Sequence, residues 1–207
     1  MNGHKVNSVT NLYNDAKRLY DSYVVGSGED SADTVLLNLG QGIETLKNSW
    51  KGIDAGVQIN SVIKIYNAMV VVRNALAQLA VDSSTVAANY RAIQMSNAAS
   101  MDALNPLTFD ARTVMSEYTD TADTIDITPE ANNGKNKIDA AITNLDSFTV
   151  AVRGVYDNIM NNWQSGTGRD NAVQAFESFN NSVNDYKQVL AEVSTSVTTA
   201  LRNYGLL

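Results

Sequence analysis

Apolar residues recur along most of this chain at alternating steps of three and four residues, the spacing that places them on one face of an α-helix. The chain contains two tryptophans, Trp50 and Trp163, and each ends one such stripe and precedes another. A further stripe opens the chain and consists of Val6, Val9, Tyr13, Ala16, Tyr20 and Tyr23, widened by Leu12 and Leu19. The pattern therefore predicts an all-α protein.

Four stripes surround the tryptophans and define the expected core. Before Trp50 the stripe is Leu36, Leu39, Ile43 and Leu46. After it come Val62, Ile65, Met69, Val72, Leu76 and Leu79, continued by Ser83, Val86, Tyr90 and Ile93. Before Trp163 the stripe begins at Ile138, Ile142 and Leu145 and continues through Thr149, Val152, Tyr156 and Ile159. After it come Ala172, Phe176, Phe179, Val183, Tyr186, Leu190, Val193, Val197, Ala200 and Tyr204. Heptads of this kind are typical of packed helices.

A glycine follows each tryptophan closely, as Gly52 in Trp50-Lys51-Gly52 and as Gly166 in Trp163-Gln164-Ser165-Gly166. Glycine lets a chain leave one helix through a left-handed residue and enter another helix in the opposite direction. We therefore predict that the two sites are the corners of two helical hairpins. Each tryptophan is a core residue that seals its corner, a residue exposed enough for a partner to recognise, or both, with one ring face buried and the indole N–H outside.

The two predicted hairpins are related by an internal repeat. Core positions lie 14, 11, 7 and 4 residues before each tryptophan. Beyond the corner they lie 12 to 29 residues after Trp50, and 13 to 30 residues after Trp163. The single extra residue thus falls at the corner itself. Two packed hairpins would form a four-helix bundle, preceded by the N-terminal helix.

Breaks in the periodicity divide the chain into four parts: 1–30, the N-terminal helix and a kink; 31–97, the first hairpin; 98–133, a connector; and 134–207, the second hairpin. Gly26, Ser27 and Gly28 mark the kink, after which Ser31 or Asp33 could cap the next helix. The connector holds both prolines, Pro106 and Pro129, and an acidic Thr/Asp run. Loops of this length are unusual within a compact domain.

Smaller features refine these boundaries. A short helix is expected between Thr108 and Ser116. Thr167, with Asp170 three residues later, could begin the last helix as a capping box. Gly40 and Gly42 either weaken their helix by about 1 kcal/mol each or permit close approach of a neighbouring helix.

Composition and charge exclude several partners. The net charge of −7 and the lack of a Lys/Arg cluster argue against nucleic acid. The chain has no cysteine, which excludes disulfides and thiolate chemistry. Its first residues lack the apolar core of a signal peptide. Its most apolar stretch, residues 61–81, is interrupted by polar side chains such as Lys64 and Arg73, so we expect no membrane span.

Residues able to carry catalysis are scarce. The single histidine, His4, leaves no plausible Ser-His-Asp triad. The chain lacks the Glu-x-x-His motif of di-iron bundles. The Gly166-Thr167-Gly168 run is not followed by the Gly-Lys-Ser/Thr of a phosphate-binding loop. We therefore expect a protein that is not an enzyme, with no catalytic residue, no cofactor and no metal.

Tandem hairpins with Trp-x-Gly at the corner resemble the WXG100 (ESAT-6-like) family of small type VII secretion substrates. Trp50-Lys51-Gly52 matches the motif, whereas the segment from Trp163 to Gly166 departs from it by one residue. The ending Asn203-Tyr204-Gly205 is similar to that of some members from Gram-positive bacteria. The resemblance covers roughly residues 30–97 and 134–207.

Members of that family are usually half this length and pair into antiparallel four-helix bundles. The resemblance therefore implies a monomer resembling a fused dimer, in which the connector replaces association of two chains. It also implies a protein that is cytoplasmic before export and secreted without a conventional signal peptide. The implied partner is a type VII secretion ATPase or a co-secreted helical protein.

One departure from the family concerns its export signal, an Asp or Glu four residues after a Tyr. None of the nine tyrosines has an acid at that spacing, and Tyr118 comes nearest, with Asp123 five residues on. Two other functions stay open. A structural or surface bundle protein of a virion or cell envelope would self-assemble, and a membrane-active helical toxin would permeabilise lipid vesicles.

Overall fold

The computed structural model describes residues 6–97, 101–120, 122, 125–164 and 167–207, with the backbone alone at residues 167 and 168. Of the described residues, 76% are helical. The described residues form α1 (Val9–Arg18), α2 (Ala32–Ser49), α3 (Ile53–Asn97), α4 (Ala131–Asn162) and α5 (Thr167–Asn203), with a π-helical segment, Leu19–Val24, directly after α1. Two short strands, β1 (Trp50–Lys51) and β2 (Asp126–Ile127), pair in an antiparallel sheet. The predicted all-α class is confirmed.

Four of these helices form the predicted bundle of two hairpins. Helix α2 packs against α3 and α4, and α5 packs against the same two helices. Neighbouring helices run in opposite directions. On α4 and α5, for example, Asp139 meets Ser194 at one end and Arg153 meets Glu177 at the other. The core between them contains most residues of the predicted stripes, among them fully buried Leu39, Leu76 and Phe176. Phe148, which lies outside the predicted stripes, is also fully buried, whereas Ile93 and Tyr204 of the stripes are exposed.

Helices α2 and α4 join the two hairpins, and two glycines let them approach closely. A Cβ atom on Gly42 would lie 3.0 Å from Cγ1 of Ile138 and 3.2 Å from the carbonyl oxygen of Gly134. A Cβ atom on Gly134 would lie 3.0 Å from the side chain of Leu46. Of the two roles considered for Gly42, the structure therefore supports close helix approach.

The N-terminal helix belongs to the bundle, because α1 packs against α3 and α4, the same two helices that hold α2. Its stripe is centred on Leu12 and Leu19, which are fully buried, while Tyr13 and Tyr20 lie at its edge. The chain then breaks, and Ser31 begins α2 as its N-cap, since its side chain accepts a hydrogen bond from the backbone N–H of Thr34 at 3.2 Å. Of the two predicted caps, Ser31 is the one observed.

The connector returns along the outside of α3 in extended form; we call residues 101–120 the strap. The short helix expected between Thr108 and Ser116 is absent, so that prediction is wrong. The backbone groups of the strap bond instead to side chains of α3. Beyond the strap, β2 pairs with β1. Helix α4 begins at Ala131, three residues before the predicted boundary. Helix α5 begins at Thr167, whose predicted capping side chain lies outside the described residues.

One ion pair recurs at related positions of the two hairpins. Buried Arg73 on α3 donates from Nε to Asp33 on α2 at 3.1 Å. Lys187 on α5 donates from Nζ to Asp146 on α4 at 2.7 Å. The repeat relates these pairs, because Asp146 follows Asp33 by 113 residues, as Trp163 follows Trp50, and Lys187 follows Arg73 by 114 residues, as core positions beyond the corner do. This agreement adds support to the predicted duplication.

Candidate recognition surface at the first tryptophan corner

Helix α2 ends where Trp50 turns into an extended conformation, with φ −140° and ψ 123°. Its backbone N–H still bonds to the carbonyl oxygen of Leu46, so Trp50 caps the helix. Trp50 pairs with Ile127 and Lys51 with Asp126 across the two-stranded sheet. The sheet therefore fixes the direction in which the chain leaves the first hairpin's opening helix.

Gly52 makes the turn into α3. Its φ of +113° lies in the region that side-chain-bearing residues rarely occupy, as the sequence analysis predicted for a corner glycine. Its carbonyl oxygen accepts from the N–H of Gly56 at 3.1 Å, while its own N–H donates to Oδ2 of Asp120 at 2.8 Å. The strap thus supplies the acceptor at the start of α3.

The carboxylate of Asp120 is held by two backbone donors. The N–H of Ala122 donates to Oδ1 at 3.0 Å, and Gly52 donates to Oδ2. These bonds, that from Ala122 first, lower the pKa of Asp120 below its ordinary value of 3.8, because they stabilise the charged form. A negative charge at a helix N-terminus is also favoured by the helix dipole.

The indole of Trp50 is buried, with 4% of its surface exposed. Four large apolar side chains of the surrounding segments are exposed, Ile53 at 74%, Val57 at 59%, Ile125 at 59% and Tyr204 at 49%. Val57, Ile125 and Tyr204 line a groove of about 430 Å³ between the corner, the segment before β2 and the end of α5, together with polar residues, and Ile53 precedes this lining on α3. We call Ile53, Val57, Ile125 and Tyr204 the corner patch.

The corner patch joins two distant segments. The Tyr204 hydroxyl donates to the carbonyl oxygen of Ile125 at 3.0 Å, so the chain end is fixed beside the first corner. Lys51 also lines the groove. Its Nζ bonds to the carbonyl oxygen of Lys47 and lies 3.3 Å from the Tyr118 hydroxyl. The corner patch therefore borders a basic side chain that contacts the strap.

The second corner is similar in backbone and different in its surroundings. Trp163 is 3% exposed, is extended at φ −128° and ψ 106°, and donates its N–H to the carbonyl oxygen of Ile159. It pairs with Val6, and the N–H of Asn7 bonds to the carbonyl oxygen of Asn162 at 3.0 Å. Val6 and Asn7 thus cover this corner. The predicted turn residue Gly166 lies outside the described residues.

Burial of both tryptophans supports the core interpretation of these residues. Recognition of the corner would then use the exposed side chains beside Trp50, of which the sequence analysis named only Tyr204. The ending around Tyr204 was noted, but nothing in the sequence placed it against Trp50. The partner of Gly52, Asp120, is separated from it by 68 residues and carries no local motif.

Two further observations concern other chemistry. Within the described parts of the chain, no group of three or more His, Cys, Asp or Glu side chains could hold a metal ion; His4 lies outside them. In the same parts, α3 is long and apolar enough to cross a membrane by length and composition alone, although half of its most apolar window is buried. The absence of a membrane span therefore stays a prediction.

Comparison of the chain with protein-family models, with curated proteins and with solved structures finds no match. The candidate site is therefore described by its own geometry. It is a hydrogen-bonded corner with a buried tryptophan, a positive-φ glycine and an exposed apolar patch, a combination that suits contact with another protein.

Proposed function

We propose that this protein is a WXG100-like protein that is secreted by, or is a partner in, a type VII (ESX-like) secretion system. It acts through helical protein–protein contacts and not by catalysis. The observation that carries the proposal is the first corner, where Trp50-Lys51-Gly52 is an ordered turn whose flank exposes four apolar side chains. The fused arrangement of two antiparallel hairpins is the one that the family resemblance implies.

The corner patch is the surface we assign to the secretion ATPase or to a co-secreted helical protein. Trp50 lies in the core beside this surface, since its ring is buried and its backbone pairs with β2. Ile53 and Val57 lie four residues apart on α3 and so share one helical face. An apolar helical face of this kind fits the groove or helix of a partner.

Export from the native host tests the proposal. The protein is followed in supernatant and cell pellet with the type VII ATPase intact and deleted, beside a cytosolic lysis marker. We expect supernatant protein that disappears when the ATPase is deleted. Protein confined to the pellet in both strains would overturn the proposal.

A surface variant then locates the contact. Ile53→Ser with Val57→Ser should abolish export while the thermal melt stays close to wild type, because both side chains are exposed. Val150→Ser is the matched control, since Val150 is 77% exposed on α4, away from the corner. If Val150→Ser abolishes export equally, the corner patch is not the contact surface.

A membrane-active helical toxin is the second candidate, and the apolar character of α3 favours it. In that case α3 would leave the bundle on contact with lipid. Leakage of a dye from anionic vesicles, measured at neutral and acidic pH, separates the candidates. Intact vesicles under both conditions would exclude the toxin.

A further inference from the structure

Three asparagines of α3 hold the strap, and they stand at intervals of seven residues. Each carboxamide bonds to both the N–H and the C=O of one strap residue. The pairs, with donor–acceptor distances to the C=O and from the N–H, are Asn60 with Tyr118 (2.8 and 2.8 Å), Asn67 with Met115 (2.9 and 2.7 Å) and Asn74 with Arg112 (2.8 and 2.9 Å). We call these residues the asparagine ladder.

The ladder matches the geometry of an extended chain. Seven helical residues rise by about 10.5 Å, and three extended residues span about 10 Å. The bonded strap positions are three residues apart, which is the period of a polyproline-II chain, whereas a β-strand presents every second residue to one side. The ladder therefore fits an extended chain. Because it binds only backbone groups, it accepts any residue that has a backbone N–H at the bonded positions.

An ion-pair cluster adds a preference for charge. Buried Arg73 donates from Nη1 to the carbonyl oxygen of Asp110 at 2.7 Å and from Nε to Asp33. The second carboxylate oxygen of Asp33 accepts from Nη2 of Arg112 at 3.0 Å. A basic residue at the strap position of Arg112 is thus matched by an acid on α2.

The strap does not fill the space that it covers. A groove of about 350 Å³ remains between α2, α3 and the strap, lined by Leu36, Leu37, Tyr66 and Met115 among others. Leu37 is 57% exposed there. The strap side chains at 112–114, 116 and 117 are exposed, and Met115 and Tyr118 are only half-buried. Backbone bonds hold the strap, and five partly buried side chains also pack it against the core: Leu104, Leu107, Phe109, Met115 and Tyr118.

We propose that the groove between α2 and α3 is a binding site for an extended peptide segment of a partner protein, and that the strap is its built-in occupant. The preferred peptide has a basic residue, a bulky apolar residue three positions later and an aromatic residue after three more. These match Asp33, the unfilled space beside Met115, and the pair Lys47 and Lys51, whose Nζ atoms lie 5.7 and 5.9 Å from the Tyr118 ring centroid.

The strap competes with such a peptide as a tethered ligand. A covalent tether gives an effective concentration in the millimolar range, so a partner peptide binds the wild-type chain weakly. Loosening the strap should therefore raise the affinity for a peptide added in trans. The same three asparagines should then hold the added peptide.

The test uses the full chain and a fluorescein-labelled peptide with the sequence of residues 107–120 carrying Met115→Phe. In the protein, Met115→Pro removes the N–H that bonds to Asn67 and loosens the strap. Fluorescence anisotropy should show the peptide binding this variant at least about tenfold more tightly than wild type. Adding Asn67→Ala should weaken binding about tenfold. Adding Asn181→Ala, the repeat-related residue on α5, should leave affinity unchanged.

Two results would overturn the proposal: a loosened chain that is folded by circular dichroism yet binds no peptide, or binding that Asn67→Ala leaves unchanged. If Met115→Pro prevents folding, Tyr118→Ala loosens the strap without touching its backbone bonds. Hydrogen exchange on wild type gives a measurement free of substitutions. Excess peptide should accelerate exchange of the Met115 and Tyr118 amides, and unchanged exchange at saturation would place the peptide elsewhere.

Discussion

The two hairpins share a plan and differ in what covers them. Both end their first helix at a buried, extended tryptophan, and both join their helices through an ion pair at the same repeat positions. The strap lies along α3 of the first hairpin. No described segment follows α5 of the second hairpin in the same way. The strap is thus an addition to one copy of the repeat.

The residues beside the asparagine ladder explain this difference. Ile63, Val70 and Ala77 stand between or next to the asparagines on α3, and all three are buried. The repeat relates them to Glu177, Asn184 and Ala191 of α5, of which the last two are exposed. An apolar face needs a cover, while a polar face is stable in water.

Gly40 and Arg153 show the same contrast on the opposing helices. Gly40 faces the strap, since a Cβ atom there would lie 3.7 Å from Met115, an ordinary contact distance. Arg153, at the related position, pairs with Glu177 at 2.5 Å, and its guanidinium lies 4.9 Å from the Phe176 ring centroid. The second hairpin thus covers its own groove with an ion pair, which lowers the pKa of Glu177.

Removing either tryptophan should have the largest effect, because both rings are almost fully buried. We expect Trp50→Ala and Trp163→Ala each to lower the free energy of unfolding by about 3–5 kcal/mol. Chemical denaturation measured by circular dichroism checks this. A loss confined to one variant would show that the corners are unequal in stability. Denaturation curves identical to wild type for both variants would contradict core packing at both corners.

The next largest effect should come from the asparagine ladder, which only the first hairpin has among the described residues. Asn67→Ala leaves the backbone N–H and C=O of Met115 without partners and should cost about 1–3 kcal/mol. Asn181→Ala on α5 should change stability by less than about 0.5 kcal/mol, since its side chain is exposed. Urea midpoints of the two variants measure the contrast. Equal costs would mean that the strap adds no stability through Asn67.

Much of this fold was predictable from spacing alone. The heptads gave the helices and the bundle, and Gly52 has the positive φ expected of a corner. The strap was not predictable, because the bonds of the asparagine ladder join residues 38 to 58 positions apart and its extended form comes from side chains of α3. The expected helix at 108–116 failed for that reason. Spacing did contain one unused signal, the asparagines at 60, 67 and 74.

Glycine substitutions sharpen the comparison of corner and helix. Gly52→Ala places a side chain at φ +113° and should cost about 1–2 kcal/mol. Gly154→Ala, inside α4 with nothing within 4 Å of the added methyl, should stabilise by about 0.5–1 kcal/mol. Thermal melts of the two variants measure both changes in stability, which should have opposite signs. A neutral Gly52→Ala would indicate that the corner relaxes to a different turn.

Acid should weaken the first corner through Asp120. Its folded-state pKa is lowered by backbone donors from Ala122 and Gly52, so its carboxylate stabilises the fold fully above the unfolded value of about 3.8. That contribution is lost as pH falls through the lower folded pKa. Asp120→Asn keeps an oxygen acceptor but removes the charge. The variant should melt below wild type at neutral pH, and the gap should close in strong acid. A difference in melting temperature that persists in strong acid would assign the effect to packing, because protonation of Asp120 would then have removed no stabilisation.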